Sequence, residues 1–195
     1  MTYYSESRVR GVGRTRGSLA AGGAPEVLRK AATTGVFDIF LSHSFRDAEL
    51  ILGVKEILES SGQTVYVDWI NDPLLDRSKV VVSTAHKLRQ RMGQCRGLVY
   101  ASTEAATHSK WMPWELGFFD GLRGSEHVAI MPLVAQSGAH PTGQEYLGLY
   151  PLVQEFLLKA SGEKRPFVTR EQSGQLEWKS LGSHANGSTT YARLR

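Results

Sequence analysis

The stretch that decides the fold class is Val36-Phe-Asp-Ile-Phe-Leu-Ser-His-Ser-Phe-Arg-Asp47. Its first seven residues form a short apolar run rich in β-formers, which predicts a buried strand. The polar residues that follow predict a loop, and Asp47 suits a helix N-cap because its carboxylate accepts hydrogen bonds from free amides. Apolar residues then recur at helical spacing as far as Leu58, and Ser61-Gly62 ends the pattern. A strand, a polar loop and a helix therefore follow one another.

The same alternation continues through the middle of the chain. Further strands are predicted at residues 64–68, 97–102, 127–134 and 149–153, and helices at 82–92, 109–121 and through Lys159. Short apolar strands that alternate with amphipathic helices are typical of an α/β fold with a parallel sheet covered on both faces. In such sheets ligands bind at the carboxyl ends of the strands. Candidate site residues are therefore expected where the first, second and third strands end.

The two ends of the chain differ in composition from the middle. Residues 1–35 mix Gly, Ser, Ala and Arg, with a short helix predicted at Pro25–Lys30, and residues 161–195 are polar and rich in glycine. The ends carry net charges of +4 and +3, and residues 36–160 carry −3. We predict a flexible or loosely docked basic N-terminal arm at 1–35, one domain at 36–160 and a polar basic C-terminal tail at 161–195. Nucleic-acid binding by the core is not expected, because its charge is negative.

Several classes of protein are disfavoured by what the sequence lacks. It has no apolar run near the roughly 20 residues that span a bilayer, and no secretory signal. The single cysteine, Cys95, excludes an internal disulfide and fits a reducing compartment. The six histidines show no HxxxH or HExxH spacing, and the GxGxxG, GxxxxGK[ST] and GxSxG motifs are missing. We expect a cytoplasmic protein with no membrane contact, no metal and no bound cofactor.

Glu115 is the first candidate for chemistry. It lies one helical turn after Trp111 in an otherwise apolar segment, so the two side chains share one helix face. Pro113 fits only the first helical turn, where the helix dipole favours an ionised carboxylate. Such a carboxylate can bind ribose hydroxyls and stabilise positive charge at an anomeric carbon. Alternatively, Glu115 caps its own helix or pairs with an arginine, while Trp111 and Trp114 fill the core.

Two polar segments are predicted to lie at the same rim of the sheet. Ser42, His43, Ser44, Phe45 and Arg46 leave the first strand, and they offer amides, hydroxyls, a guanidinium and an aromatic ring to a nucleotide. Asp68 and Trp69 end the second strand, where the acid can hold a second hydroxyl pair or a carboxamide. An ordinary capped loop and an ordinary strand end explain the same residues. The residues alone leave both interpretations open.

Three segments together resemble the Toll/interleukin-1 receptor (TIR) domain family, and bacterial TIR-like proteins of Thoeris-type antiphage systems in particular. They are residues 37–47 (FDIFLSHSFRD), 64–69 (TVYVDW) and 109–119 (SKWMPWELGFF), and the resemblance covers residues 36–159. It implies a flavodoxin-like three-layer fold with about five parallel strands. Pro113 and Trp114 depart from the family pattern, in which a small residue or cysteine is common.

The resemblance also implies an activity and a site. Its motifs match Glu115 to a catalytic glutamate and Trp111 to a pocket aromatic. They match residues 42–46 to the loop that lines the nucleotide site, and residues 68–76 to the loop after the second strand, which contacts another protomer and gates the site. The implied function is cleavage of NAD+, as substrate rather than cofactor, to nicotinamide and ADP-ribose or a cyclic ADP-ribose isomer. The implied partners are a second copy, through the loop at 69–76, and a separate effector protein that senses the product.

Two other functions remain open at this stage. Many TIR domains act by self-association, so a non-catalytic signalling scaffold is the main alternative. A nucleoside deoxyribosyltransferase-like enzyme also combines a flavodoxin-like sheet with a glutamate. The choice between hydrolysis and cyclisation depends on how the pocket folds the substrate and excludes water, which residue types do not determine.

Overall fold

The computed structural model describes residues 2–19, 35–44, 48–75, 77–78, 80–141, 143–159 and 161–193. The helix predicted at Pro25–Lys30, the loop residues Phe45 and Arg46, and the N-cap Asp47 lie outside these described residues. No helix of the described segments is long and apolar enough to cross a membrane.

The described residues form nine strands and six α-helices. The strands are β1 (Tyr4–Ser5), β2 (Phe37–Ser42), β3 (Val65–Tyr66), β4 (Cys95–Ser102), β5 (Val128–Val134), β6 (Leu152–Leu157), β7 (Lys164–Gln172), β8 (Gln175–Ser180) and β9 (Ala192–Arg193). The helices are α1 (Glu6–Leu19), α2 (Ala48–Glu59), α3 (Asp68–Asn71), α4 (Val82–Gly93), α5 (Met112–Arg123) and α6 (Leu181–Ala185). Short 3₁₀ helices lie at Glu104–His108, Ser125–His127 and Glu145–Leu149.

The centre of the fold is a parallel sheet in the order β3-β2-β4-β5-β6. Its register pairs Ile39 with Val65, Leu41 with Val99, and Val99 with Ala129. The prediction of an α/β fold with about five parallel strands is confirmed. Because the strands are parallel, the segments that follow β2 and β4 leave the sheet at the same edge. This edge is where the candidate residues were expected.

Two apolar clusters cover the two faces of the sheet, which produces the predicted three layers. Alternate residues of β2 point to opposite faces: Ile39 and Leu41 belong to one cluster, and Phe40 belongs to the other. The first cluster includes Val9 of α1 and buried residues of α2. The second includes Leu88 of α4 and buried residues of α5. Near-continuous apolar strands are what a sheet covered on both faces requires.

The C-terminal segment differs from the polar tail that the sequence analysis expected. β7 and β8 extend the sheet beyond β6 in an antiparallel arrangement, and β9 follows them. Cross-strand aromatic pairs support this extension, since the ring of Phe167 lies 5.6 Å from that of Phe156 and 5.0 Å from that of Trp178. The helix predicted through Lys159 is wrong, because β6 occupies residues 152–157 and pairs with β7.

The N-terminal segment also contributes to the sheet. β1 pairs with the end of β5 through Tyr4 and Leu133, and Thr2 forms an antiparallel bridge with Glu155 of β6. Buried Glu155 also pairs with Arg8 of α1. In place of the loosely docked arm that was expected, residues 2–15 are therefore held by backbone pairing, an ion pair and the burial of Val9.

Two glycines set the distance between α1 and α2. A Cβ atom on Gly53 of α2 would clash with the carbonyl oxygen of Val9, and one on Gly13 of α1 would clash with the carbonyl oxygen of Glu49. The two helix backbones therefore touch at positions that only glycine permits. The pairing of β1 with the carboxyl end of β5 places the start of α1 beside the carboxyl edge of the sheet.

Gly53→Ala is therefore expected to lower the free energy of unfolding by about 1–3 kcal/mol, the usual range for overpacking. The added methyl group must push α1 away from α2. Gly11→Ala on the same helix is the matched control, since nothing lies within 4 Å of its Cβ position. The control should be neutral or stabilising by up to about 1 kcal/mol. Urea unfolding of both variants measures the difference, and equal stabilities would show that the helices do not touch here.

Candidate active site

A buried carboxylate lies at the carboxyl edge of the sheet. Glu115 lies in the first turn of α5 and is 0 % exposed. Ser42, at the end of β2, donates a 2.6 Å hydrogen bond from its Oγ to Glu115 Oε2. Pro113 occupies the start of α5, as its lack of an amide hydrogen requires. Strand β2 and helix α5 thus meet at one carboxyl group, through two residues that are 73 positions apart in sequence.

Arg77 is the site residue that the sequence analysis missed. Its Nη2 donates a 2.6 Å hydrogen bond to Glu115 Oε1, and its Nη1 donates to Asp68 Oδ2. The arginine side chain is 8 % exposed and bridges two buried carboxylates. Trp111 Nε1 donates a 3.0 Å hydrogen bond to the carbonyl oxygen of Arg77, which holds the loop backbone against α5. The loop after the second strand therefore covers Glu115 with a guanidinium.

Asp68 begins the one-turn helix α3, whereas the sequence predicted a strand end followed by a loop. The turn forms because Asp68 Oδ1 accepts a 2.6 Å bond from the amide of Trp69, and Asn71 Oδ1 accepts one from Val67. Burial opposes the charge of Asp68, but His43 and Arg77 together hold the pKa of its carboxyl well below the ordinary range. Asp68 is therefore ionised at neutral pH.

His43 completes the polar cluster. Its Nε2 lies 3.4 Å from Asp68 Oδ1, and its Nδ1 lies 2.9 Å from the carbonyl oxygen of Leu41. The carbonyl can only accept, so Nδ1 carries a proton. The ring is 1 % exposed and fixed between β2 and α3. His43 thus lies against Asp68, which pairs with Arg77.

The electrostatics of Glu115 are balanced between burial and its partners. Burial raises the pKa of Glu115 above its ordinary value, while the charge of Arg77 and the hydrogen bond from Ser42 oppose that rise. Both carboxylate oxygens accept hydrogen bonds, the pattern expected of the ionised form. The site therefore holds a carboxylate that is poorly solvated and stabilised by two removable donors.

A cavity of about 440 Å³ opens beside this cluster, and we call it the Trp111 cavity. Its lining includes His43, Ser44, Arg77, His108 and Trp111. The indole of Trp111 forms one wall and is 6 % exposed. A ligand in the Trp111 cavity would rest on the guanidinium that covers Glu115.

The structure brings together most residues that the sequence singled out. Ser42, His43, Asp68 and Glu115 share one polar cluster, while Ser44 and Trp111 line the adjoining cavity. Trp69 instead packs partly buried against the apolar cluster that contains α2. The pairing of Glu115 with an arginine also fits the structural alternative, so that pairing alone does not identify a catalytic group.

Two other sequence interpretations, for Trp114 and Cys95, have structural counterparts. Trp114 packs edge-on against Trp111, with ring centroids 5.4 Å apart, and stacks on Phe118. Cys95 is buried, and burial raises the pKa of its thiol, as in a packed rather than a reactive cysteine. Among the described residues no group of three or more His, Cys, Asp or Glu side chains is arranged to hold a metal ion.

Comparison with known proteins gives two relatives. The "Probable 3′ cyclic ADP-D-ribose synthase ThsB′" of Bacillus cereus (strain MSX-D12) is 49% identical over 138 residues, which cover 70% of each chain. The "Putative cyclic ADP-D-ribose synthase TIR2" of Cytobacillus dafuensis is 30% identical over 84 residues, covering 43% of this chain and 22% of the relative. No protein-family model matches the chain.

The parallel sheet and the buried glutamate at its carboxyl edge, together with these relatives, define a TIR-domain protein. Its similarity to ThsB′ extends over more than two thirds of both chains. The chain belongs to the TIR family, and within it to the Thoeris-type proteins that include ThsB′.

Proposed function

We propose that this protein cleaves NAD+ at the bond between nicotinamide and ribose and closes the remainder into a cyclic ADP-ribose. The observation that carries the proposal is Glu115, a fully buried carboxylate held by Ser42 and Arg77 beside a cavity at the carboxyl edge of the sheet. The names of both relatives, which are cyclic ADP-D-ribose synthases, support the choice of substrate and of a cyclic product.

In the first step of the proposed mechanism, Glu115 exchanges one hydrogen-bond donor for another. The nicotinamide ribose enters the Trp111 cavity, and its hydroxyls take the place of the Arg77 guanidinium as donors to Glu115. Arg77 keeps Asp68 as a partner, so its charge stays paired when it releases Glu115. The indole of Trp111 shields the reacting ribose from water.

The second step is bond cleavage. The bond between the anomeric carbon and the nicotinamide nitrogen breaks, and its electron pair leaves with nicotinamide, which becomes neutral. The carboxylate of Glu115 stabilises the positive charge that grows on the ribose. A nucleophile of the adenosine half then attacks the anomeric carbon and loses one proton, which gives the cyclic product. Attack by water would give ADP-ribose instead.

The test is incubation of the purified chain with NAD+, with nicotinamide release followed by chromatography and the product identified by mass spectrometry. A product with the mass of ADP-ribose minus water supports cyclisation. ADP-ribose alone would replace the cyclase by a hydrolase. A protein that is inert both as purified and when concentrated to promote assembly would favour the alternative of a non-catalytic scaffold. In antiphage defence the cyclic product would serve as a signal that a separate effector protein detects.

We also propose that the loop beside the site contacts a second copy of the chain. Leu74 is 98 % exposed, and Val80 and Val82 are 66 % and 84 % exposed. Several exposed apolar side chains in one short segment are typical of an association surface. The same loop carries Arg77, so association at this surface would be coupled to the position of the guanidinium on Glu115.

Leu74→Asp is therefore expected to weaken self-association by at least about tenfold, since a buried leucine contributes about 1.5–3 kcal/mol. Analytical ultracentrifugation over a range of concentrations measures the change. Leu157→Asp is the matched control, because Leu157 is 61 % exposed at the end of β6, outside the loop. If both variants associate like the unmodified chain, the loop is not the contact surface.

A further inference from the structure

A second cavity, of about 330 Å³, adjoins the Trp111 cavity at the same edge of the sheet. Ser44 and His108 line both cavities and so form a common wall between them. The second cavity lies beneath the first turns of α1, and we call it the α1 cavity. Its volume is at the lower end of the range of about 300–1,000 Å³ that is usual for small-molecule sites.

The α1 cavity has an apolar floor and a polar rim. Leu50 and Ile51 of α2 and Ala101 of β4 form the floor, and all three are at most 3 % exposed. The rim carries the charged side chains of Glu6, Arg10 and Glu104, and the hydroxyl of Thr103. An apolar floor with a few polar groups at its rim is the usual composition of a small-molecule site, and the rim carboxylates can accept a hydrogen bond from an exocyclic amine.

Helix α1 holds its part of the rim in a fixed position. Arg10 Nη2 donates a 3.0 Å hydrogen bond to Glu6 Oε2 one turn earlier on the same helix. The glycine contact between α1 and α2 and the ion pair between Arg8 and Glu155 fix the helix against the fold. The rim is therefore built by tertiary contacts rather than by a chance position of surface side chains.

We propose that the α1 cavity binds the adenosine half of NAD+ while the nicotinamide half occupies the Trp111 cavity. This inference rests on the proposed function, because Glu115 determines which half must lie beside it. The base lies on the floor of Leu50, Ile51 and Ala101, and its amine donates to a rim carboxylate. The pyrophosphate crosses the wall at Ser44 and His108, where Arg10 supplies positive charge.

The arrangement gives a physical reason for cyclisation. A dinucleotide that crosses the common wall has its two halves in neighbouring cavities, which share Ser44 and His108. The adenosine half then stays close to the anomeric carbon after nicotinamide has left, and it competes with water as an intramolecular nucleophile. Loss of binding in the α1 cavity would shift the product towards ADP-ribose.

The test uses two fragments of the substrate as competitors of NAD+ cleavage: ADP for the adenosine half and nicotinamide mononucleotide for the other half. Ala105→Phe places a ring in the α1 cavity from the half-buried helix at Glu104–His108. For Ala105→Phe we expect the inhibition constant of ADP to rise about tenfold and the inhibition constant of nicotinamide mononucleotide to stay unchanged. The fraction of cyclic product should fall. Ala192→Phe, on the exposed strand β9, is the control that should change neither.

A second pair of variants covers the case in which Ala105→Phe disturbs the fold. Arg10→Ala should also raise the inhibition constant for ADP. Arg14→Ala, on the exposed side of the same helix, should leave it unchanged. The inference is overturned if ADP inhibits NAD+ cleavage by Ala105→Phe and Arg10→Ala as well as it inhibits cleavage by the unmodified chain. It is also overturned if ADP does not inhibit the unmodified chain. If the unmodified chain releases no nicotinamide, the proposed function fails instead, and calorimetric titration with ADP still reports on the α1 cavity.

Discussion

Glu115→Gln is expected to lower the rate of nicotinamide release from NAD+ by about 10³-fold, the effect typical of removing a group that stabilises transition-state charge. Glutamine has nearly the same shape and can still accept a hydrogen bond from Ser42, so the fold should persist. What the variant lacks is the negative charge that faces the anomeric carbon. The measurement is nicotinamide release under single-turnover conditions, so that product release does not mask the chemical step.

The matched control for this prediction is Glu163→Gln. Glu163 is exposed beside the β6–β7 hairpin, where it pairs with Arg165 at the surface. Its amide variant should release nicotinamide at the rate of the unmodified chain. If Glu115→Gln also retains full activity, Glu115 is not the catalytic group and the proposed mechanism is wrong.

Arg77→Ala is expected to lower the free energy of unfolding by about 3–5 kcal/mol, the usual loss when one partner of a buried ion pair is removed. The truncation leaves Asp68 and Glu115 as neighbouring buried carboxylates without their shared cation. Arg165→Ala is the contrasting control, because its partner Glu163 is exposed and such surface pairs contribute at most about 1 kcal/mol. Urea unfolding at neutral pH measures both variants.

A double variant separates charge from packing in this result. Arg77→Ala combined with Glu115→Gln should be at least as stable as Arg77→Ala alone, since the neutral amide no longer needs the guanidinium. If the double variant loses as much free energy of unfolding as the two single variants together, Arg77 acts through packing, because charge coupling between neighbours is non-additive.

Arg77→Ala is also expected to change the pH dependence of kcat/KM for NAD+ cleavage. Burial raises the pKa of Glu115 and Arg77 lowers it, so removing Arg77 leaves burial and the charge of Asp68 both acting to raise it. Because the ionised form is proposed to react, the acid limb of kcat/KM should move to higher pH in Arg77→Ala. The kcat/KM profile reports the free enzyme, in which Arg77 contacts Glu115. An unmoved limb would show that another group controls the profile.

The middle of the fold was predictable because its signals are local. Strands β2, β4 and β5 are mostly buried on both faces, so each appears in the sequence as a near-continuous apolar run. Turn residues such as Gly62 and Gly124, both with positive φ, mark where helices end. These signals need no knowledge of distant contacts.

The ends were not predictable for the opposite reason. Helix α1 contains three glycines in 14 residues, which disfavour an isolated helix, and its contact with α2 overrides that preference. Strands β7 and β8 mix charged and apolar residues because they are partly exposed. Their pairing with β6 depends on aromatic contacts that composition does not reveal.

The candidate site was predictable in part. Ser42, Asp68 and Glu115 follow or begin regular elements whose ends meet at one edge, so topology places them together. Arg77 gave no comparable signal, since it lies in an irregular loop 9 residues from Asp68 and 38 residues from Glu115. Only the folded chain shows that one guanidinium serves both carboxylates.

The position of β1 has a consequence for the order of folding. Residues 2–5 pair with partners near Leu133 and Glu155, which lie more than 120 positions further along the chain. Contacts of such large sequence separation form late, because the intervening chain must already be ordered. Glu6 and Arg10 follow β1 directly, so the rim of the α1 cavity is completed only near the end of folding. The hydrogen bonds of Glu115 with Ser42 and Arg77 join residues that are closer in sequence, so we expect them to form before the α1 cavity is complete.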